Sequence, residues 1–340
     1  MKKLKISNGD IDIAVRITGE GPLVILIHGW PESWHSWRHQ IPFLSKLGFK
    51  VAAISVRGYG ESSCPYEIEE YSIGKLASDI KSVINELGYD EAILVGHDWG
   101  GPIAWTTAIM FPDKVKAVAG LSVPYLQVGS QSSLDLWKQI YKDKYFYQLY
   151  FLKEGVAEKE LEKDLVKTFE LCYFSNDSRG MKFINEHRDN PKYQKDMNSG
   201  YLDGLPEFKS YPDWITSDDI NLLVEEYKIS GMRGPLNRYR AQELDFQELN
   251  KLGTKKISQP ACFITGEQDP VNFFFTGAAN MGSFGSLSNI NVKELFQNLI
   301  SNNYEDLRVL EVLNDVGHWT QEEAPNEVNL ILKKFLGGLT

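Results

Sequence analysis

Cysteine is scarce in this chain of 340 residues: Cys64, Cys172 and Cys262 are the only three. So odd and scattered a set excludes a disulfide framework and has no metal-type spacing. It suits a reducing compartment, so a cytoplasmic location is expected. Excess positive charge is also lacking. The formal net charge of -10 argues against nucleic acid or an anionic membrane surface as partner. Long apolar runs are missing as well: no stretch approaches the ~18 residues of a membrane span. The basic start, Met1-Lys2-Lys3-Leu4-Lys5, passes at once into Ser7-Asn8-Gly9-Asp10, so no signal-peptide core is expected. Internal repeats are absent. What remains, 42% apolar and 24% charged, is the balance of a globular protein. The length suits one large α/β domain, or such a core with an insertion.

One short stretch organises the rest: Val95-Gly96-His97-Asp98-Trp99-Gly100-Gly101. Ala92-Ile93-Leu94-Val95 ahead of it reads as a buried strand, and Pro102 to Phe111 behind it as a buried helix. Asp98 therefore stands at a strand-to-helix turn with glycine two before and two after. A turn that sharp strains the central residue and brings two backbones close, so only glycine-sized neighbours fit. Serine is the usual occupant of such a nucleophile elbow; here it is aspartate. A helix N-terminus favours an anion, so Asp98 is expected to be ionised without help. The plain alternative is a glycine-rich turn whose Asp merely caps a helix.

Around that turn, strands alternate with helices. Ile11–Ile17 has the alternation of a half-exposed strand. Leu23–Ile27 is continuously apolar, as in a strand covered on both faces, and ends in His28-Gly29-Trp30-Pro31. A helix through Ile41 and Leu44 closes at Gly48, and Lys50–Val56 is the next strand. Ser72 is expected to cap a helix carrying Ile73, Leu76, Ile80 and Val83 on one face. After the elbow, Ala117–Ser122 is a short buried strand. From about 125 to 255 no buried strand appears and helical patterns dominate, with a capping box from Thr216 to Asp219 opening one of them. Strands return at Ala261–Thr265 and Leu307–Leu313, with helices near Val292–Ile300 and Asn326–Leu336. The expected fold class is α/β: a mostly parallel sheet flanked by helices, with core parts at 1–124 and 256–340 and a helical lid at 125–255. On such a sheet, ligands bind beyond the carboxyl ends of the strands.

Asp269, in Gly266-Glu267-Gln268-Asp269-Pro270, and His318, in Val316-Gly317-His318-Trp319, each follow a strand. Alone, the first is an ordinary Asp-Pro turn and the second an ordinary buried or surface histidine. Together with Asp98 they run nucleophile, acid, histidine, the order of the α/β-hydrolase plan. An aspartate nucleophile alters the chemistry. A carboxylate is ionised near neutral pH, needs no activating base, and forms an alkyl ester on attacking saturated carbon. His318, oriented by Asp269, is then needed for the second step, drawing a proton from the water that attacks the ester. The backbone N–H groups of Trp99 and Trp30 are the natural donors to the oxyanion. Opening an epoxide needs a hydrogen-bond donor to the ring oxygen. Tyrosine suits that role, and the helical segment holds many, but spacing leaves open which point inward.

These motifs resemble those of the α/β-hydrolase-fold epoxide hydrolases, especially the hydrolase domain of the soluble epoxide hydrolases. The resemblance rests on His28-Gly29-Trp30-Pro31-Glu32-Ser33-Trp34, Arg57-Gly58-Tyr59-Gly60-Glu61-Ser62-Ser63 and Gly96-His97-Asp98-Trp99-Gly100-Gly101, and covers nearly the whole chain. It implies ring-opening roles for Tyr147, in Phe146-Tyr147-Gln148-Leu149-Tyr150-Phe151, and for Tyr239, in Leu236-Asn237-Arg238-Tyr239-Arg240. It also implies a cis bond between Trp30 and Pro31, no cofactor and no metal. Two departures stand out. No counterpart of the mammalian enzyme's phosphatase domain is expected here. The Asp269-to-His318 interval, with Phe273-Phe274-Phe275 and a Gly-, Ser- and Asn-rich stretch, is long for the family. It reads as a surface excursion, an oligomer contact or a wall of the substrate pocket.

The expected activity is hydrolysis of a small apolar epoxide to a vicinal diol, using water. The runner-up is a haloalkane or haloacid dehalogenase with the same Asp nucleophile. Trp30 stands where a halide-binding Asn is often expected, which favours the epoxide. A third reading, of another class, is a non-catalytic binding or receptor-like protein on the same scaffold. The oligomeric state is not legible in the sequence.

Overall fold

Eight β-strands form one sheet in the computed structural model, which describes residues 1–275 and 291–339. They are β1 (Lys2–Asn8), β2 (Ile11–Thr18), β3 (Leu23–Ile27), β4 (Lys50–Ile54), β5 (Ala92–His97), β6 (Val115–Leu121), β7 (Ala261–Gly266) and β8 (Leu307–Leu313). Their spatial order is β1-β2-β4-β3-β5-β6-β7-β8. β1 pairs antiparallel with β2, and β2 antiparallel with β4; every later pairing is parallel. β3 and β5 are buried along their whole length, as their unbroken apolar runs require of central parallel strands. β1 was not expected. Its lysines made it read as a polar terminus, but they decorate an exposed edge strand, where charge blocks further pairing.

Parallel registration gathers the functional loops. Ile27 lies opposite Gly96, His97 opposite Leu121, Leu121 opposite Ile264, and Gly266 opposite Leu313. The segments leaving β3, β5, β6, β7 and β8 therefore emerge together at one edge. Helices cover both faces. Ile73–Glu86 and Gly100–Met110 pack on one through Leu76, Ile80, Ile103 and Ala104. Gln40–Lys46 and Pro325–Gly337 cover the other through Ile41, Leu44, Val328 and Leu332. Each fully buried aliphatic side chain of this kind contributes about 1.5–3 kcal/mol.

Among the described residues no strand lies between β6 and β7. The chain there runs through α-helices from Ser133–Ile140 to Gln242–Leu252. The Thr216–Asp219 capping box forms as expected, the Thr216 side chain and the Asp219 carboxylate each accepting the other's backbone N–H. Ser72 does not cap its helix. Asp245 accepts the Ile73 N–H at 2.7 Å, and Glu248 accepts that of Gly74 at 2.9 Å. The cap is thus supplied by the far end of the helical segment, which docks that end onto the helix Ile73–Glu86. No helix of the described residues is long and apolar enough to cross a membrane. Most of the Gly-, Ser- and Asn-rich stretch after Phe275 lies outside the described residues. Of the preceding phenylalanines, Phe273 is buried beside Met181, and Phe274 packs against Trp137, Phe146 and Tyr147.

Candidate active site

Asp98 occupies the turn between β5 and the helix Gly100–Met110, with φ of 48°, a left-handed conformation that only tight turns demand of a non-glycine residue. The flanking glycines are required by approach distance. A Cβ on Gly96 would stand 2.0 Å from the Gly100 carbonyl oxygen, and one on Gly100 2.0 Å from that of Ile27. Gly29 is held to the same limit, since its Cβ would fall 2.3 Å from Asp98 Oδ1. With that space free, the Trp30 N–H donates to Asp98 Oδ1 at 2.7 Å. A second backbone donor to the carboxylate is the Trp99 N–H. The Trp30–Pro31 bond is cis.

Asp269 and His318 join Asp98 from the loops after β7 and β8. His318 Nδ1 donates to Asp269 Oδ1 at 3.0 Å, and its Nε2 faces Asp98 Oδ2 at 3.7 Å. Asp269 is wholly buried; Oδ1 also accepts the Val271 N–H at 2.9 Å. Burial pushes its carboxyl up, but the charge and hydrogen bond of His318, with the Ser122 hydroxyl and the Val271 amide, outweigh this and leave it below the ordinary value. For His318, burial pulls the pKa down; the Asp269 charge and hydrogen bond turn the net shift upward. The Asp98 carboxyl is pulled in two directions. Desolvation raises its pKa, opposed by His318, His97 and the Trp30 and Trp99 amides.

Tyr147 and Tyr239 come from separate helices, Tyr147–Phe151 and Arg233–Arg240, yet their rings stand 6.0 Å apart. Tyr239 packs edge-on against both Trp99 (5.3 Å) and Trp30 (5.8 Å). Burial, reinforced by nearby charge including that of Asp98, raises both phenols and keeps them protonated donors. The Tyr147 oxygen accepts from Gln148 Nε2 at 3.0 Å, which leaves its own proton free to be donated. The Tyr239 hydroxyl has no partner among the described residues. Phe151 and Tyr201 complete an aromatic shell over the site, each against Trp30.

All seven residues singled out in the sequence, Asp98, Asp269, His318, Tyr147, Tyr239, Trp30 and Trp99, lie at this one edge of the sheet. Four more went unnoticed. His97 and Glu32 form a buried pair at 2.9 Å. Ser122, at φ of 71°, brings its Oγ within 3.1 Å of His318 Nδ1. Gln321 donates to Glu32 Oε1 at 2.8 Å. The one sequence signal was proximity: His97 adjoins the nucleophile and Glu32 follows the His28–Pro31 turn.

Comparison with known proteins accords with this geometry. The profile of the alpha/beta hydrolase fold family matches residues 22–325. The chain belongs to the alpha/beta hydrolase fold family and, within it, to the epoxide hydrolases. It is 38% identical over 94% of its length to a pig (Sus scrofa) protein named bifunctional epoxide hydrolase 2, covering 52% of that protein. The chain thus spans about half the length of these bifunctional relatives. It is 34% identical to epoxide hydrolase A of Mycobacterium tuberculosis, covering 99% of this chain and 98% of that one. Among solved structures, epoxide hydrolase A from Mycobacterium thermoresistibile superposes with a TM-score of 0.85 at 32% identity, covering 99% and 98% of the two chains.

Proposed function

We propose that this protein hydrolyses an epoxide to a vicinal diol through an alkyl ester on Asp98. The observation that carries the reading is the state of the Asp98 carboxylate. Oδ1 rests on the Trp30 amide, the Trp99 amide also favours the charged form, and Oδ2 faces the His318 imidazole. Oδ2 attacks a ring carbon of the epoxide, the C–O bond breaks, and the ring oxygen takes a proton from Tyr147 or Tyr239. Neither phenol needs to ionise first, because each remains protonated at neutral pH.

The resulting ester is hydrolysed by water. His318 Nε2 takes the proton of a water that attacks the Asp98 carbonyl carbon, and Asp269 stabilises the imidazolium. Oδ1, already on the Trp30 N–H at 2.7 Å, becomes the oxyanion, with the Trp99 N–H as the second donor. The 3.7 Å separation of Nε2 from Oδ2 is too long for a hydrogen bond, so the base is not engaged by the nucleophile it must later help to release. In this reading residues 125–255 act as a lid carrying both tyrosines, and 1–124 with 256–340 form the core. The substrate is an apolar epoxide, in keeping with the aromatic shell. A dehalogenase would draw on the same Asp98, but two protonated phenols over the site suit an alkoxide leaving group better than a halide.

One turnover in heavy-oxygen water tests this. The first diol should carry light oxygen from Asp98, with solvent label appearing only in later turnovers. Label wholly from solvent in the first turnover would mean that water opens the ring itself.

A further inference from the structure

Arg238, one residue before Tyr239 on the helix Arg233–Arg240, is a cation only 2% exposed. Its Nη1 donates to the Tyr71 carbonyl and its Nη2 to Asp245 Oδ2. The guanidinium lies over the Trp99 indole, 4.8 Å from the ring centroid. Nε has no hydrogen-bond partner among the described residues. Burying a guanidinium is costly and an unmet N–H adds to the cost, so stability alone does not account for the placement. We propose that Arg238 is a positioning residue for ring opening: it fixes the Trp99 indole and, against it, the Tyr239 phenol that donates to the epoxide oxygen. The proposal rests on the two-step reading above, in which Tyr239 is a proton donor.

The contacts run in a line from the core to the reacting centre. Asp245 accepts the Ile73 N–H on Oδ1 at 2.7 Å and Arg238 on Oδ2, so one carboxylate joins the helix Ile73–Glu86 to the cation. Tyr239 meets the indole that Arg238 covers, edge-on at 5.3 Å. Its other chain neighbour is pinned within the helical segment, where Arg240 donates to the Phe151 carbonyl at 3.0 Å and to Glu158 at 2.7 Å. Two buried arginines thus brace Tyr239 on either side. Tyr147 rests instead on Phe146, Phe274 and Gln148. Trp99 is fixed separately through its backbone, its carbonyl accepting the Ile103 N–H at 3.1 Å. Loss of Arg238 therefore frees the indole and the phenol but leaves the oxyanion donor in place. Charge acts in the same direction. Burial pulls the Arg238 pKa down to about 9, still charged at neutral pH, and Glu248, Tyr59 and Tyr239 favour that charge. Tyr239 gains negative charge as it gives up its proton, which a neighbouring cation favours.

The experiment uses variants of the full chain: R238M alone, with Y239F and with Y147F, and styrene oxide as probe. Rapid quench and intact mass give the rates of ester formation and ester hydrolysis. Methionine keeps an apolar stem but neither bridge nor charge. Ester formation should slow by about tenfold in R238M, and hydrolysis should change by less than about twofold. In the Y239F background R238M should cost little more, whereas in the Y147F background it should still cost about tenfold. Equal losses in both backgrounds, or equal slowing of the two steps, would show that Arg238 only holds the fold. No loss at all would show that it does nothing for the reaction. Each of these overturns the proposal. If R238M does not fold, R238K enters the same cycle. Lysine keeps the charge but has no plane to lay on Trp99 and no fork to span both acceptors. The same coupling to Tyr239 is expected, and its absence overturns the proposal. Absence of any ester in the unaltered protein would instead strike at the two-step reading, which separates the two failures.

Discussion

His318 Nε2 stands 3.7 Å from Asp98 Oδ2, while the other nitrogen of the same ring is tied to Asp269 at 3.0 Å. The base is oriented by the acid and kept off the nucleophile. Under the proposed mechanism that asymmetry divides the labour of the site: Asp98 would act first and without His318, and His318 afterwards on water.

The first expectation concerns Asp98. In D98A no carboxylate remains to attack carbon, and the two backbone donors have nothing to hold. Diol formation from styrene oxide should fall by about 10³-fold or more. A loss under tenfold would rule out Asp98 as nucleophile.

For His318 the outcome differs in kind. H318Q should still be alkylated, because Asp98 needs no base, yet hydrolysis of the ester should slow by about 10²–10⁴-fold. Intact mass of the protein would then rise by the mass of one epoxide. Unmodified protein after incubation with an epoxide that the parent turns over would contradict the two-step scheme.

The tyrosines should affect the other half-reaction. Y147F and Y239F each remove one proton donor without disturbing the aromatic packing. Ester formation should slow by about 10–10²-fold in each and further in the double variant, within the range for positioned acids. Hydrolysis of the ester, once formed, should be little changed. Halide release from a haloalkane exceeding diol formation in the unaltered protein would move the reading to a dehalogenase.

Stability should fall on the alkaline side. Against an ordinary value near 6.5, the His97 pKa is raised to about 9 once Glu32 outweighs burial. A group raised in the folded state contributes fully below its unfolded value and loses that contribution as pH rises through the folded one. Glu322 and Glu323, pushed by burial to about 7, add with the same sign at lower pH. The melting temperature should therefore decline between about pH 6.5 and pH 9. A flat or rising profile across that window would contradict the buried charge on His97.

How far the sequence carries depends on how local each determinant is. The elbow was legible because its cause is local: glycines two before and two after Asp98 permit one sharp turn, and apolar runs on either side fix strand and helix. Asp269 and His318 were legible as positions after strands, though their meeting is a matter of sheet register. Tyr147 and Tyr239 came into view through family likeness; periodicity could not choose them from the other tyrosines of the helical segment. The Ser72 cap was misread because its replacement, Asp245, lies 172 residues beyond Ile73, whose N–H it accepts.

The sequence by itself determined the class of fold, the carboxylate at the nucleophile turn and the order of the three polar residues. Spacing, apolar runs and glycine placement act within a few residues, so they can be read in one dimension. Tertiary structure alone decided the electrostatics. Burial raises the Asp98 pKa, and the partners that oppose this are brought together only on folding. Glu32 reaches His97 across 65 residues, and the His318 carbonyl reaches it across 221. Desolvation and pairing depend on distance in space, which no local pattern records.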